Sequence, residues 1–210
     1  NGPMARTPDD LALLMDVMSG GDPRLPLHRG AEKVSPLSTP KSLRLGWLGD
    51  WGGAYPMEEG ILDTCEAAIA TLEGQGHQVD RLAPPYPAEK IWQSWITLRS
   101  FAVAAGLREL KDRRDQLKEA ALWELDRGLG FSGQEVQEAS DLRAGWMRAA
   151  ARMFDSYDAV LLPSAQCWPF PVDWDYPKEI AGQAMDTYHR WMEVVVPASL
   201  LGLPALAGTT

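Results

Sequence analysis

Two short strand-like runs with a helix between them, over residues 43–82, constrain the fold more than any other feature of this chain. Leu43-Arg44-Leu45-Gly46-Trp47-Leu48 alternates in polarity and reads as a strand. Pro56 and Met57 lead into a helix over Glu58 to Leu72, with Ile61, Cys65, Ala68, Ile69 and Leu72 on one face. Gly74 and Gly76 end that helix, and Gln78 to Leu82 reads as a second short strand. A connection of this length suits parallel pairing, with the crossover expected to be right-handed. The chain is therefore expected to be α/β.

On either side the pattern changes. Gly2-Pro3 is a turn, Thr7 reads as an N-cap, and Pro8 sits at the first helical position with Asp9 and Asp10 behind it. Leu11, Leu14, Met15 and Met18 then form one apolar stripe, expected to be buried, before Gly20-Gly21. Such an opening looks like a cut through a larger domain. Residues 22–42, rich in proline, read as an extended loop. After Pro84-Pro85-Tyr86-Pro87, residues 88–153 are almost wholly helical, with Ser132 and Glu135 as a capping box. Three faces are expected to pack: Trp92, Trp95, Ile96 and Arg99; Leu117, Ala121, Trp123 and Leu125; and Trp146, Ala150 and Phe154. A strand is expected over Ala159 to Pro163, then a loop to Asp175, a helix from Ile180 to Met192, a short helix near Val195 to Leu201, and a strand-like Leu203 to Ala207.

Composition narrows the partners. The 210 residues suffice for one domain burying about 70% of its unfolded surface. With 20 basic against 29 acidic residues, a net charge of −9 and no basic run, nucleic acid is not an expected partner. The longest apolar run, Val194 to Ala207, is interrupted by Pro197 and Pro204, so no membrane span is expected. Cys65 and Cys167 read as free thiols, which points to the cytoplasm.

Three segments, in order, resemble the amidase signature family of hydrolases. Gly2-Pro3-Met4-Ala5-Arg6-Thr7, followed by the helix closing in Asp16-Val17-Met18-Ser19-Gly20, is similar to the stretch just after that family's catalytic core. Asp158-Ala159-Val160-Leu161-Leu162-Pro163-Ser164 resembles its late core strand. Pro197-Ala198-Ser199-Leu200-Leu201-Gly202-Leu203-Pro204-Ala205-Leu206 resembles its Pro-x-Asn-x-x-Gly-x-Pro-Ala block. Two departures stand out: Ser199 in place of Asn, and Ala207-Gly208-Thr209-Thr210 in place of Ser-x-Pro-x-Gly. The resemblance implies a mixed sheet flanked by helices, with residues 88–153 as a helical insertion. It also implies that residues 1–210 are the C-terminal part of a single such domain, whose N-terminal half is the missing partner.

The resemblance implies hydrolysis of a small or medium carboxamide through an acyl-enzyme on a Ser–Ser–Lys triad, without metal or other cofactor. None of that triad is matched here: Lys33, Lys41, Lys90, Lys111, Lys118 and Lys178 lie outside any Gly/Ser-rich loop, and no Gly-x-Ser-x-Gly elbow exists. His28, His77 and His189 show no metal-ligand spacing and read as surface or satisfied histidines. No catalytic residue is assigned, and the chain alone is expected to be inactive. What remains is a pocket wall. The loop following the strand at 159–163 leaves the end where α/β folds place ligand loops, which nominates Gln166, Cys167 and Trp168; Trp95 on the insertion joins them as substrate-binding candidates. Arg99 reads as a solvated or salt-bridged residue. A half-sheet leaves an edge unpaired, so self-association is expected of the isolated chain. The rival reading is a non-catalytic scaffold or partner-binding chain of the same fold.

Overall fold

A computed structural model describes residues 2–24, 33–38 and 42–208. The chain divides into two compact units, residues 1–41 and 42–210. In the first, α1 (Pro8–Met18) starts as its sequence requires: Thr7 Oγ1 accepts from Asp10 N at 3.2 Å, and Pro8 needs no donor. The Asp16 carboxylate accepts from Ser35 N at 3.1 Å. The apolar stripe is not buried as expected. Ala12 is the buried residue of α1, whereas Leu14, Met15 and Met18 are exposed. An amphipathic pattern says which face would be covered, not what covers it. His28 and part of the 22–42 loop lie outside the described residues.

The second unit contains the expected strand–helix–strand. β1 (Arg44–Trp47), α2 (Ile61–Gly74) and β2 (Gln78–Arg81) place β1 and β2 in parallel, with Leu45 opposite Val79. β3 (Ala159–Leu161) pairs with the other edge of β1, also in parallel, giving the order β2-β1-β3. Between β2 and β3 stand the helices of the insertion: α3 (Ala88–Leu107), α4 (Glu119–Gly130) and α5 (Gly133–Phe154). The Ser132–Glu135 capping box forms. On α4 the packed face is rotated from expectation: Glu124, Leu125 and Gly128 are buried, while Trp123 is exposed. Gly128 explains this, because a Cβ there would fall 2.2 Å from the Ser100 carbonyl oxygen of α3. The close approach of two helix backbones chose the face. Phe154, at the end of α5, is likewise exposed.

The expected helix over 180–192 is absent. β4 (Glu179–Ile180) and β5 (Gln183–Ala184) form a small antiparallel hairpin. Its turn residues, Ala181 and Gly182, have φ of 48° and 79°, the left-handed pair that a two-residue hairpin turn demands. A tight turn at Arg190–Val195 follows and runs into α6 (Val196–Leu201), the expected short helix. Residues 203–207 form no strand.

The core gathers around Trp146, which is 1% exposed. Its ring meets Trp51 edge-on at 5.5 Å, and its indole N–H donates to Pro197 O at 2.9 Å. Arg143 Nε donates to Leu200 O at 2.8 Å. These two bonds from α5 fix α6. Trp51 in turn donates to Tyr86 O at 2.8 Å, so the loop after β1 is stitched to the entry of α3. Tryptophan suits such positions because one ring supplies both buried area and a directed donor.

Candidate functional site

The loop leaving β3 is held by its own side chains. Gln166 is fully buried and uses both ends of its amide: Nε2 donates to Pro56 O at 3.1 Å, and Oε1 accepts from Val194 N at 3.0 Å. Its backbone carbonyl accepts from Glu58 N at 2.8 Å. One glutamine therefore ties together the loop before α2, the loop after β3 and the turn before α6. Cys167 is buried against Ile180 and Met185. Burial, reinforced by the charge of Glu58, pushes its thiol up, which disfavours the nucleophilic thiolate. Trp168 is 46% exposed; its N–H donates to Glu58 Oε2 at 2.8 Å and its indole N–H to Glu59 O at 3.0 Å. A shallow hollow beside this loop is lined by Asp173, Trp174, Asp175, Tyr176, Lys178 and Glu179.

Trp95 belongs to a second cluster. It stacks on Trp92 at 5.5 Å and meets the His189 ring edge-on at 5.6 Å, with the Arg99 guanidinium 5.4 Å from its centre. Arg99 also pairs with Glu124 at 3.1 Å, as a salt-bridged residue should. Among the described residues no hydrogen bond or ring contact joins Trp95 directly to residues 166–168. The 187–196 segment is their common support, through His189 on one side and Val194 on the other.

Several residues of these clusters are missed by sequence reasoning. His189 Nε2 lies 2.6 Å from Glu124 Oε1, and both side chains are nearly inaccessible. Burial pushes the Glu124 carboxyl up, but the hydrogen bond from His189 and the nearby Arg99 outweigh it and hold the group below its ordinary range. His189 Nδ1 and Glu124 Oε2 have no hydrogen-bond partner among the described residues. Further along, Arg190 bonds Asp186 through Nε and Nη2 and Glu193 through Nη1, each at 3.1 Å, while lying 4.0 Å over the Trp92 ring. Burial pushes the Glu193 carboxyl up to about 7 despite Arg190. The signal available in the sequence was the run Asp186 to Glu193, where charged and aromatic residues interleave. No rule of spacing pairs its histidine with a glutamate on a distant helix.

Among the described residues no group of three or more His, Cys, Asp and Glu is placed to hold a metal ion. No helix among them is long and apolar enough to cross a membrane.

Comparison with known proteins gives a consistent result. The model of the Amidase family matches residues 1–210. An acylamidase of Rhodococcus erythropolis is 25% identical over 98% of this chain and 44% of its own length. One subunit of the glutamyl-tRNA(Gln) amidotransferase of Archaeoglobus fulgidus is 25% identical over 98% of this chain and 48% of its own. Among solved structures, a bacterial aryl acylamidase of the amidase signature enzymes superposes with a TM-score of 0.79 at 23% identity, over 93% of this chain and 44% of that one. The chain thus spans less than half the length of the relatives it matches, and its fold is part of theirs.

Proposed function

The chain belongs to the Amidase family, and from that premise we propose that it forms part of a hydrolase cleaving the C–N bond of a small carboxamide. The Ser–Ser–Lys triad expected of such an enzyme lies, on this reading, outside residues 1–210. A serine oxygen bonds the amide carbon, the C–N bond breaks, and the amine leaves with a proton. Water then releases the carboxylate and restores the serine. This chain contributes the wall against which the acyl group lies: Trp168 from the loop after β3 and Trp95 from the insertion, with the buried Gln166 and Cys167 holding that loop from behind. The supporting observation is the anchoring of that loop, since a wall held at Gln166 from three directions keeps Trp168 in place for a substrate.

The reading is tested by expressing the full gene product beside residues 1–210 and following release of aniline from an acyl anilide. Turnover by the former and none by the latter is expected. Activity in residues 1–210 alone would overturn the placement of the triad. No turnover of any carboxamide by the full product would favour a non-catalytic scaffold.

A further inference from the structure

Arg99 uses only part of its guanidinium. The side chain is 42% exposed and donates to Glu124 Oε1 through Nε at 3.1 Å. Its two Nη groups make no hydrogen bond or ion pair among the described residues. A guanidinium held at Nε alone keeps its Nη1–Nη2 end, the pair of parallel donors that matches the two oxygens of a carboxylate.

What separates Arg99 from an ordinary surface arginine is how it is held. The Glu124 side chain is 5% exposed, and its Oε1 also receives His189 Nε2 at 2.6 Å, so the carboxylate that fixes Arg99 is itself fixed. The guanidinium carbon lies 5.4 Å from the centre of the Trp95 ring, and His189 meets that same ring edge-on at 5.6 Å. Both supports of Arg99 thus lean on one buried imidazole. Burying a carboxylate and a histidine costs desolvation and adds little to an exposed ion pair. What the arrangement fixes is the direction of a cation. Trp123 and Tyr188, whose rings lie 6.0 and 5.3 Å from that of His189, are 37% and 39% exposed and extend the aromatic surface. Arg127 lies 5.3 Å from the Trp123 ring centre, a second cation at this surface on a chain of net charge −9. Aromatic faces beside a fixed fork of donors suit an apolar group that ends in an anion.

We propose that Arg99 selects the substrate: its Nη1–Nη2 end takes a carboxylate carried on the acyl part of the carboxamide, while Trp95 packs against the carbon chain leading to it. The substrate class is then an anionic carboxamide, the monoamide of a dicarboxylic acid. This rests on the hydrolytic reading, which lays the acyl group against Trp95. The contact itself forms and breaks no covalent bond, so equilibrium binding measures it without turnover.

The probes are the uncleavable ketone analogues of succinanilate and valeranilide, in which a methylene replaces the amide nitrogen; they differ in a carboxylate against an ethyl group. Each is titrated calorimetrically into the full gene product. The native protein is expected to bind the anionic probe about tenfold more tightly than the neutral one. Arg99→Gln is expected to abolish that preference. Arg99→Lys keeps the charge beside Glu124 but lacks the fork; it is expected to lose most of the preference, and serves as the test should Arg99→Gln fail to fold. Equal binding of the two probes by the native protein, or an undiminished preference in either variant, would overturn the proposal. Failure of the hydrolytic reading is seen separately. A product that cleaves no anilide yet shows the Arg99-dependent preference refutes that reading alone, and one that cleaves valeranilide but binds both probes equally refutes the carboxylate contact alone.

Discussion

Gln166 Oε1 accepts the Val194 N–H at 3.0 Å, across a sequence separation of 28 residues and in full burial. The same side chain donates to Pro56 O, so neither end of its amide is spare. That double use makes Gln166 a joint of the fold that holds the loop carrying Trp168, rather than a surface that a substrate could touch.

Replacing Gln166 by leucine preserves volume and strands both the Val194 N–H and the Pro56 carbonyl. Each buried orphan costs about 1–3 kcal/mol, so a loss of about 2–5 kcal/mol in unfolding free energy is expected from urea denaturation. A loss below about 0.5 kcal/mol would show that the joint contributes nothing to holding the three segments together.

Gly128→Ala introduces a methyl where the Ser100 carbonyl oxygen lies 2.2 Å away. α3 and α4 must separate to admit it, against the helix propensity that alanine gains. Overpacking of this kind costs about 1–3 kcal/mol, with the change visible in thermal unfolding. Gly130→Ala, two residues on with open space around it, serves as the control and is expected to be neutral or better.

The Glu124–His189 pair gives an acid-side prediction. Glu124 is held below its ordinary 4.5, so its contribution is present above about that pH and is lost as pH falls through the lowered folded value. Glu124→Gln removes one partner of a buried pair and is expected to cost about 3 kcal/mol at pH 7. The gap between variant and native protein should then shrink on acidification below pH 4.5. A gap that stays constant to pH 3 would contradict it.

Trp168→Ala tests the wall separately from the fold. With Trp168 46% exposed, stability should change little, whereas KM for an acyl anilide in the full gene product is expected to rise about three- to tenfold at unchanged kcat. An unchanged KM would remove Trp168 from the wall.

An incomplete sheet makes a prediction of its own. β2 and β3 flank β1 in a sheet of three strands, and Trp168, Val172 and Trp174 are exposed. Residues 1–210 in isolation are expected to enhance the fluorescence of a hydrophobic dye and to elute above monomer mass. A dye-silent monomer would count against the reading that this chain supplies part of a larger sheet.

Local signals in this chain were sufficient where a single element decides the outcome. The Thr7 cap, the Ser132–Glu135 box and the β1–α2–β2 unit all follow from residues a few positions apart, and all are present. The family was likewise legible, because its three motifs are contiguous runs. Where the outcome depends on what an element meets, local pattern misled. The Ala181-Gly182 turn broke an apparent helix, and the Gly128–Ser100 approach rotated the buried face of α4. The union of Glu124 with His189, the sharing of Arg190 between Asp186 and Glu193, and the two-ended use of Gln166 were decided by tertiary structure alone. The reason is physical: hydrogen-bonding propensity and periodicity act over a turn or two of chain, whereas desolvation and charge pairing depend on which distant groups close packing brings within about 3 Å.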